Sequence, residues 1–182
     1  MEKVTQMDIT KGMKASELVN TMGKSGVFGA GRVAKAAKIA ETMIKDKNCK
    51  VFLGLAGAMV PGGMKNIIVD MLEQDWIDIF VTTGANITHD LVEALGYSHF
   101  KGSAHVDDKE LKKKNIDRIY ESYMPNEVYE AMEEFFSEIY DELSKEKSIK
   151  EFLWKLGLKL KEKNAKGNKS ILVTCAEKKI PI

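Results

Sequence analysis

The feature that most constrains this chain is a repeated change of period between residues 50 and 96. KVFLGL at 50–55 and DIFVT at 78–82 are short, continuous apolar runs. Small residues follow each run, and then apolar residues at three- and four-residue spacing. Such runs suit strands covered on both faces, and the spacing after them suits helices. Strand, helix, strand, helix in that order implies a parallel sheet with right-handed crossovers and an α/β fold class. The first helix is expected to start near Pro61, whose missing N–H has no acceptor in a first turn, and to turn Met64, Ile67, Ile68, Met71 and Leu72 inward. The second is expected to be capped by Asn86 or Thr88, to bury Leu91, Val92 and Leu95, and to end at Gly96. SILVTC at 170–175 reads as a third buried strand, and AEKKIPI after it as a short amphipathic turn. Three strands form a thin sheet with open edges, which invites association. A second chain or second copy is therefore expected to complete this partial, Rossmann-like sheet and its flanking helices.

The flanks read as follows. Residues 1–48 form an arm with helices, and residues 49–182 form the α/β domain. Val4, Met7 and Ile9 suggest an extended arm, residues 16–22 a short helix, and KSG a break. A helix over 31–46 is expected to turn Val33, Ala36, Ala37, Ala40, Met43 and Ile44 inward. GVFGAG at 26–31 has glycine spacing but no preceding strand, so it reads as a hinge rather than a dinucleotide loop. Residues 97–124 read as a polar surface excursion anchored by Ile116, Ile119 and Tyr120, with His99 and His105 as surface histidines. A helix over 126–143 carries Val128, Met132, Phe135, Phe136 and Ile139 inward, and another places Ile149, Phe152, Leu156 and Leu160 on one face.

The net charge is +1, from 28 basic and 27 acidic side chains, which excludes broad electrostatic binding to nucleic acid or an acidic membrane. No apolar run approaches the ~20 residues that cross a bilayer, and the first residues hold no signal core. Cys49 and Cys175 are far apart and read as reduced, core-type thiols, which points to the cytoplasm. No compact ligand set suggests a metal.

Chemistry is expected at the two strand-to-helix turns, AGAMVPGG at 56–63 and TTGAN at 82–86. In a parallel sheet both lie at the carboxyl edge, where ligands bind. Small residues admit a ligand to the backbone, and N–H groups at a helix start can hold an anion. His89 is expected in the first turn of the second helix, facing the same edge, with Asp90 beside it favouring that helix's dipole.

The stretch LGLAGAMVPGGMKNIIVDMLEQDWIDIFVTTGANITHDLVEALG resembles the core of the deoxyhypusine synthase family. The likeness continues through Gly102, a D-x-x-L element at Asp108 and Leu111, an N-x-x-R-I element at Asn115, Arg118 and Ile119, and a P-x-x-x-Y element at Pro125 and Tyr129. GVFGAGRVAKAAKIAETMI and SILVTCAEKKIPI resemble the family's first long helix and a strand ending in an Ile-Pro step. The match covers about the first half of the family's pattern. It implies an enzyme that binds NAD, cleaves spermidine and passes the aminobutyl group, through an imine on a lysine, to a lysine of the hypusine-bearing translation factor. Related members make homospermidine or act on other polyamines. The resemblance puts the reactive lysine in the family's second half, so no lysine here takes that role. It puts NAD contacts on Gly57, Ala58, Met59, Val60 and Pro61 in the first loop, and on Thr83, Gly84, Ala85 and His89 in the second. Thr88 and His89 stand where eukaryotic members carry two glutamates near the polyamine, and Ala-Gly-Ala replaces a Thr-Ser-Asn type first loop. Both departures resemble the prokaryotic deoxyhypusine synthase-like branch. The expected partners are a chain carrying the second half, or a full-length homologue, within an oligomer. The alternatives are a homospermidine-type relative and a non-catalytic regulatory subunit.

Overall fold

The computed structural model describes residues 1–164 and 167–182. The chain divides into two compact units, Met1–Val51 and Phe52–Ile182.

The first unit is a helical hairpin. Helices α1 (Ala15–Ser25) and α2 (Phe28–Lys45) are joined at Gly26, whose φ of 72° closes α1 in the left-handed conformation. The turn is tight because Gly31 lies against Gly26: a Cβ there would come within 2.6 Å of the Gly26 carbonyl oxygen. GVFGAG is thus the corner of this hairpin. The apolar face expected for α2 is not buried. Ala34 is the one buried residue of that helix, while Val33, Ala36, Ala37 and Ala40 are exposed. Within the unit α2 has only the short α1 to pack on, through small residues such as Gly23 and Ala34.

The second unit starts with β1 (Phe52–Leu55), α3 (Lys65–Glu73), β2 (Ile79–Thr82) and α4 (Gly84–Ala94). β1 and β2 pair in parallel, with Phe52 opposite Ile79 and Leu55 opposite Thr82. The alternating order read from the sequence is present, and the fold is α/β. The two strands are not covered on both faces, however. Leu53, Leu55 and Phe80 pack into the core, while Phe52 and Val81 on the other face are 62% and 54% exposed. α3 begins four residues after Pro61, because Gly63 adopts φ 84° and breaks the right-handed helical path. Its buried residues include Val69 with Ile68 and Leu72, whereas Ile67 and Met64 are exposed.

The run at 170–175 is not a strand. It opens α8 (Ile171–Lys178). Two groups satisfy the N–H groups that a helix start leaves unpaired. Ser170 Oγ accepts from Val173 N at 3.2 Å, and the buried Asp90 carboxylate accepts from Ile171 N and Leu172 N, each at 2.9 Å. Asp90 therefore serves the start of α8 rather than its own helix. Burial pushes its carboxyl up, against the bonds from Leu172, Ile171 and Ser170 and the charge of Lys65. After α8, the terminal residues turn back to β2, where Phe80 N donates to Pro181 O at 2.9 Å. Ile180 is buried in the core while Glu177, Lys178 and Lys179 are exposed, so the segment is amphipathic, although its first residues close α8. The parallel sheet has two strands rather than three.

Residues 97–124 hold a three-stranded antiparallel sheet where the sequence suggested a surface excursion. Its order is β3 (Phe100–Lys101), β5 (Ser122–Pro125), β4 (Ile116–Ile119), with α5 (Asp108–Lys113) between β3 and β4. Its strands are too short and charged to show a clear period. Leu111 and Met124 are its buried anchors; Ile119 and Tyr120 are exposed and Ile116 is half-buried. The Asp108 carboxylate bridges Arg118 through Nε at 2.5 Å and Nη2 at 3.2 Å, joining two of the family-like elements.

Helices α6 (Glu127–Leu143) and α7 (Ile149–Lys163) follow the expected spacing, although Ile149 is exposed at the first position of α7. The second unit has two main apolar clusters that meet at α8. Ile171 and Cys175 pack with Phe80, Val69 and Leu72, while Leu172 packs with Leu91, Phe135, Ile139, Leu156 and Leu160. A helix buried on all sides is apolar all round, and over six residues that pattern matches a buried strand.

Candidate functional site

The parallel register ends both strands level, which puts the two turns side by side at the carboxyl edge. Two hydrogen bonds join them, and a third braces the second turn. Thr82 Oγ1 donates to Leu55 O at 2.9 Å. Asn86, only 1% exposed, donates from Nδ2 to Thr82 Oγ1 at 3.3 Å and accepts at Oδ1 from Val60 N at 3.5 Å. The cap of α4 is Thr83, whose hydroxyl accepts from Asn86 N. Asn86 is thus a bridge between the turns, and neither it nor Thr88 is the cap. With α4 starting at Gly84, Thr88 and His89 fall in its second turn rather than its first.

The two turns have different capacities for a ligand. In the first, the N–H groups of Met59, Gly62, Gly63 and Met64 bond within the loop, and that of Val60 goes to Asn86. These groups are spent on the loop's shape. At the second turn the first N–H groups of α4, on Gly84 and Ala85, have no acceptor within the helix and are the better anion donors. Both turns leave room for close approach: a Cβ at Gly57 or Gly84 would meet nothing within 4 Å. Beside the first turn lies a cavity of about 690 Å³, lined by Ala58, Val60, Pro61, Glu93, His99 and Ser122 among others. Ser122 Oγ donates to Pro61 O at 3.2 Å, which ties the antiparallel sheet to the loop. This volume falls within the range of small-molecule sites, roughly 300–1,000 Å³, and the open glycines fit a dinucleotide laid along the edge.

A line of four polar side chains includes Glu93 and His99 from the lining of this cavity. Lys65 Nζ lies 2.5 Å from Glu93 Oε2, with the lysine side chain 11% exposed. Glu93 Oε1 lies 2.8 Å from His99 Nδ1, and His99 Nε2 lies 2.9 Å from His89 Nδ1. Burial alone would raise the Glu93 carboxyl, but the bonds and charges of His99 and Lys65 hold it below its usual value. Burial, and then the neighbouring His99, depress the His89 imidazole. Both histidines line a second cavity of about 280 Å³, together with Asp117, Arg118, Met124 and Tyr129. Among the described residues, no group of three His, Cys, Asp or Glu side chains is placed to hold a metal, and no helix is long and apolar enough to cross a membrane.

The family model for deoxyhypusine synthase matches residues 17–182. The chain belongs to the deoxyhypusine synthase family. It is 42% identical over 180 residues to "Probable deoxyhypusine synthase 1" of Archaeoglobus fulgidus, covering 99% of this chain and 58% of that one. It is 44% identical over 175 residues to "Probable deoxyhypusine synthase" of Methanosarcina thermophila, covering 96% and 53%. A "Deoxyhypusine synthase-like protein" of Elusimicrobium minutum is 38% identical over 184 residues, covering 100% and 48%. The chain thus spans about half the length of the curated relatives it matches. The crystal structure of an Entamoeba histolytica protein assigned as a deoxyhypusine synthase superposes with a TM-score of 0.61 at 19% identity, covering 98% of this chain and 63% of that one, which supports the shared fold.

Set against the family resemblance, the expected site residues divide. Ala58, Val60 and Pro61 line the larger cavity and His89 the smaller. Gly57, Thr83, Gly84 and Ala85 are exposed along the edge, Met59 and Thr88 are half-buried, and none of these six lines either cavity. His99 is not a surface histidine: its side chain is 7% exposed and bonded at both ring nitrogens. Lys65, Glu93 and the bridging role of Asn86 were missed from sequence. One signal was available, since Glu93 follows His89 by four residues and so shares its helix face.

Proposed function

We propose that these 182 residues are the N-terminal half of a deoxyhypusine synthase-like enzyme, supplying part of an NAD site that a second polypeptide completes. One observation carries the reading: two glycine-bearing turns, held together by Asn86 at the carboxyl edge of a parallel strand pair, beside a cavity of about 690 Å³. In this reading Gly57 and Gly84 admit the dinucleotide to the backbone, and the Gly84 and Ala85 N–H groups take a pyrophosphate oxygen. NAD, when bound, supplies the hydride acceptor for spermidine. The chain's own task is to hold the two turns in register and the cofactor at the edge. The partner chain brings the imine-forming lysine, and the acceptor is a lysine of the hypusine-bearing translation factor. Cys49 and Cys175 are both free, which supports a reducing, cytoplasmic setting.

The test is co-expression with a chain carrying the family's second half. Aminobutyl transfer from spermidine is then measured with NAD and the factor, for the complex and for this chain alone. Turnover is expected only from the complex. Turnover by this chain alone would sink the shared-site reading. A stable complex that neither binds NAD nor turns over would favour a non-catalytic subunit. Thr88 and His89, in place of two carboxylates, favour a second reading in which the acceptor is a free diamine. The same assay with a diamine replacing the factor separates the two.

A further inference from the structure

The side-chain line Lys65–Glu93–His99–His89 has a direction fixed by its chemistry. Glu93, held ionised by Lys65, has only lone pairs to offer, so His99 Nδ1 carries a hydrogen and donates it. A neutral imidazole with its hydrogen on Nδ1 has a lone pair on Nε2. With His99 neutral, its Nε2 accepts from His89 Nδ1 across 2.9 Å. That places the hydrogen of His89 on Nδ1 and its lone pair on Nε2, the ring nitrogen left for the smaller cavity.

We propose that Lys65, Glu93 and His99 are positioning residues that lock His89 with its lone pair on Nε2, making it the acceptor for an amine N–H in the smaller cavity. The proposal rests on the polyamine reading above and deepens it. Where two carboxylates would attract a cation by charge, this arrangement selects a hydrogen-bond donor by polarity.

The lock is reversible. Adding one proton to His89 makes it a donor at both ring nitrogens. The nitrogen available to the cavity changes from acceptor to donor, and an amine is no longer matched. The charged and titratable groups around the pair act together on this step. Glu93 on α4 and Asp117 on β4 favour the added proton, as does Asp90 on α4 when ionised. Lys65 on α3 and Arg118 on β4 oppose it, and the Tyr129 phenol on α6, raised by burial and by Asp117, stays neutral. Burial of His89 keeps the neutral state in force near neutral pH.

The test is long-range proton–nitrogen NMR on the full chain with labelled histidine, which reads each ring nitrogen directly. At neutral pH, His89 is expected to show a protonated Nδ1 and a lone pair on Nε2, and added spermidine is expected to shift the Nε2 signal. In acid both the lone pair and the spermidine response are lost. In His99→Phe, His89 loses its acceptor and moves toward the Nε2–H form that free imidazole side chains favour. A wild-type His89 carrying its hydrogen on Nε2 at neutral pH overturns the proposal, and this spectrum decides even if His99→Phe does not fold. A correct tautomer without a spermidine response overturns the amine assignment. A correct tautomer with a spermidine response but no NAD binding by the assembled complex supports the proposal and sinks the cofactor reading alone.

Discussion

Replacing Gly157 with alanine sets two effects of opposite sign against each other. Gly157 lies inside α7, where alanine is favoured over glycine by about 1 kcal/mol. On an exposed helix the substitution would stabilise. Here α8 crosses directly over the glycine. A Cβ would lie 2.8 Å from Ala176 Cβ and 2.9 Å from the Leu172 carbonyl carbon, and closer still to its oxygen. Ordinary contact starts at 3.4 Å, so the Ala176 gap must widen by 0.6 Å (3.4 − 2.8), and the gap to Leu172 by more. α8 has no slack to give, because Asp90 holds Ile171 N and Leu172 N at 2.9 Å each. Overpacking costs about 1–3 kcal/mol, and strained bonds to a carboxylate add part of the ~1.5–3 kcal/mol that each is worth. After the helix gain, a net loss of roughly 2 kcal/mol is expected, or about 4–8 °C in melting temperature for a chain of this size. Tryptophan fluorescence is the suitable probe, since Trp76 and Trp154 both lie in the second unit. Gly29→Ala in α2, where a Cβ meets nothing within 4 Å, is the control and is expected to stabilise the first unit by up to about 1 kcal/mol, read by far-UV circular dichroism. A Gly157→Ala protein that melts at or above the wild-type temperature would refute the reasoning.

Asp90→Ala strands the Ile171 and Leu172 N–H groups and the Ser170 hydroxyl, at about 1–3 kcal/mol for each donor left unpaired. Loss of the native tryptophan signal at low urea is the expected result. Gly84→Ala is expected to leave melting unchanged, because its Cβ meets open space in the protein, and, under the proposed function, to weaken NAD binding of the assembled complex by calorimetry. Cys175 is buried, with its thiol pushed up to about 12 chiefly by desolvation. Ellman's reagent is therefore expected to titrate one thiol, Cys49, in the native chain and two in urea. His89 has a depressed pKa in the fold, so the stability linked to it is complete above its ordinary value of 6.5 and falls as pH drops through the lower folded value. Urea midpoints across that range are expected to fall less in His89→Phe than in the wild type.

The elements that were legible in sequence are those whose burial follows one period. α6 shows Val128, Phe135 and Ile139 inward as spaced, and the β1–α3–β2–α4 order follows from two short apolar runs. α8 was illegible because nothing local separates it from a strand. Its helicity depends on Asp90, about eighty residues earlier, and on neighbours that enclose it. The face of α2 misled for the opposite reason: its period is helical, but its unit supplies no partner broad enough to bury it. In the site, glycine chemistry pointed to the two turns, yet the distribution of N–H bonds that favours the second turn appears only in three dimensions. His99 looked solvated because its neighbours in sequence are polar, whereas its neighbours in space are His89 and Glu93.

The borrowed cap of α8 also bears on how the chain folds. α8 has eight residues, below the ~12–15 at which an isolated helix persists in water. It is not expected to persist before α4 has brought Asp90 into place, so it forms together with the rest of the second unit rather than as an isolated nucleus. Until then its apolar run stays in solvent as a sticky, strand-capable segment. The Ile171 and Leu172 amides should accordingly exchange with solvent only through opening of the whole second unit, at the slow limit of the chain.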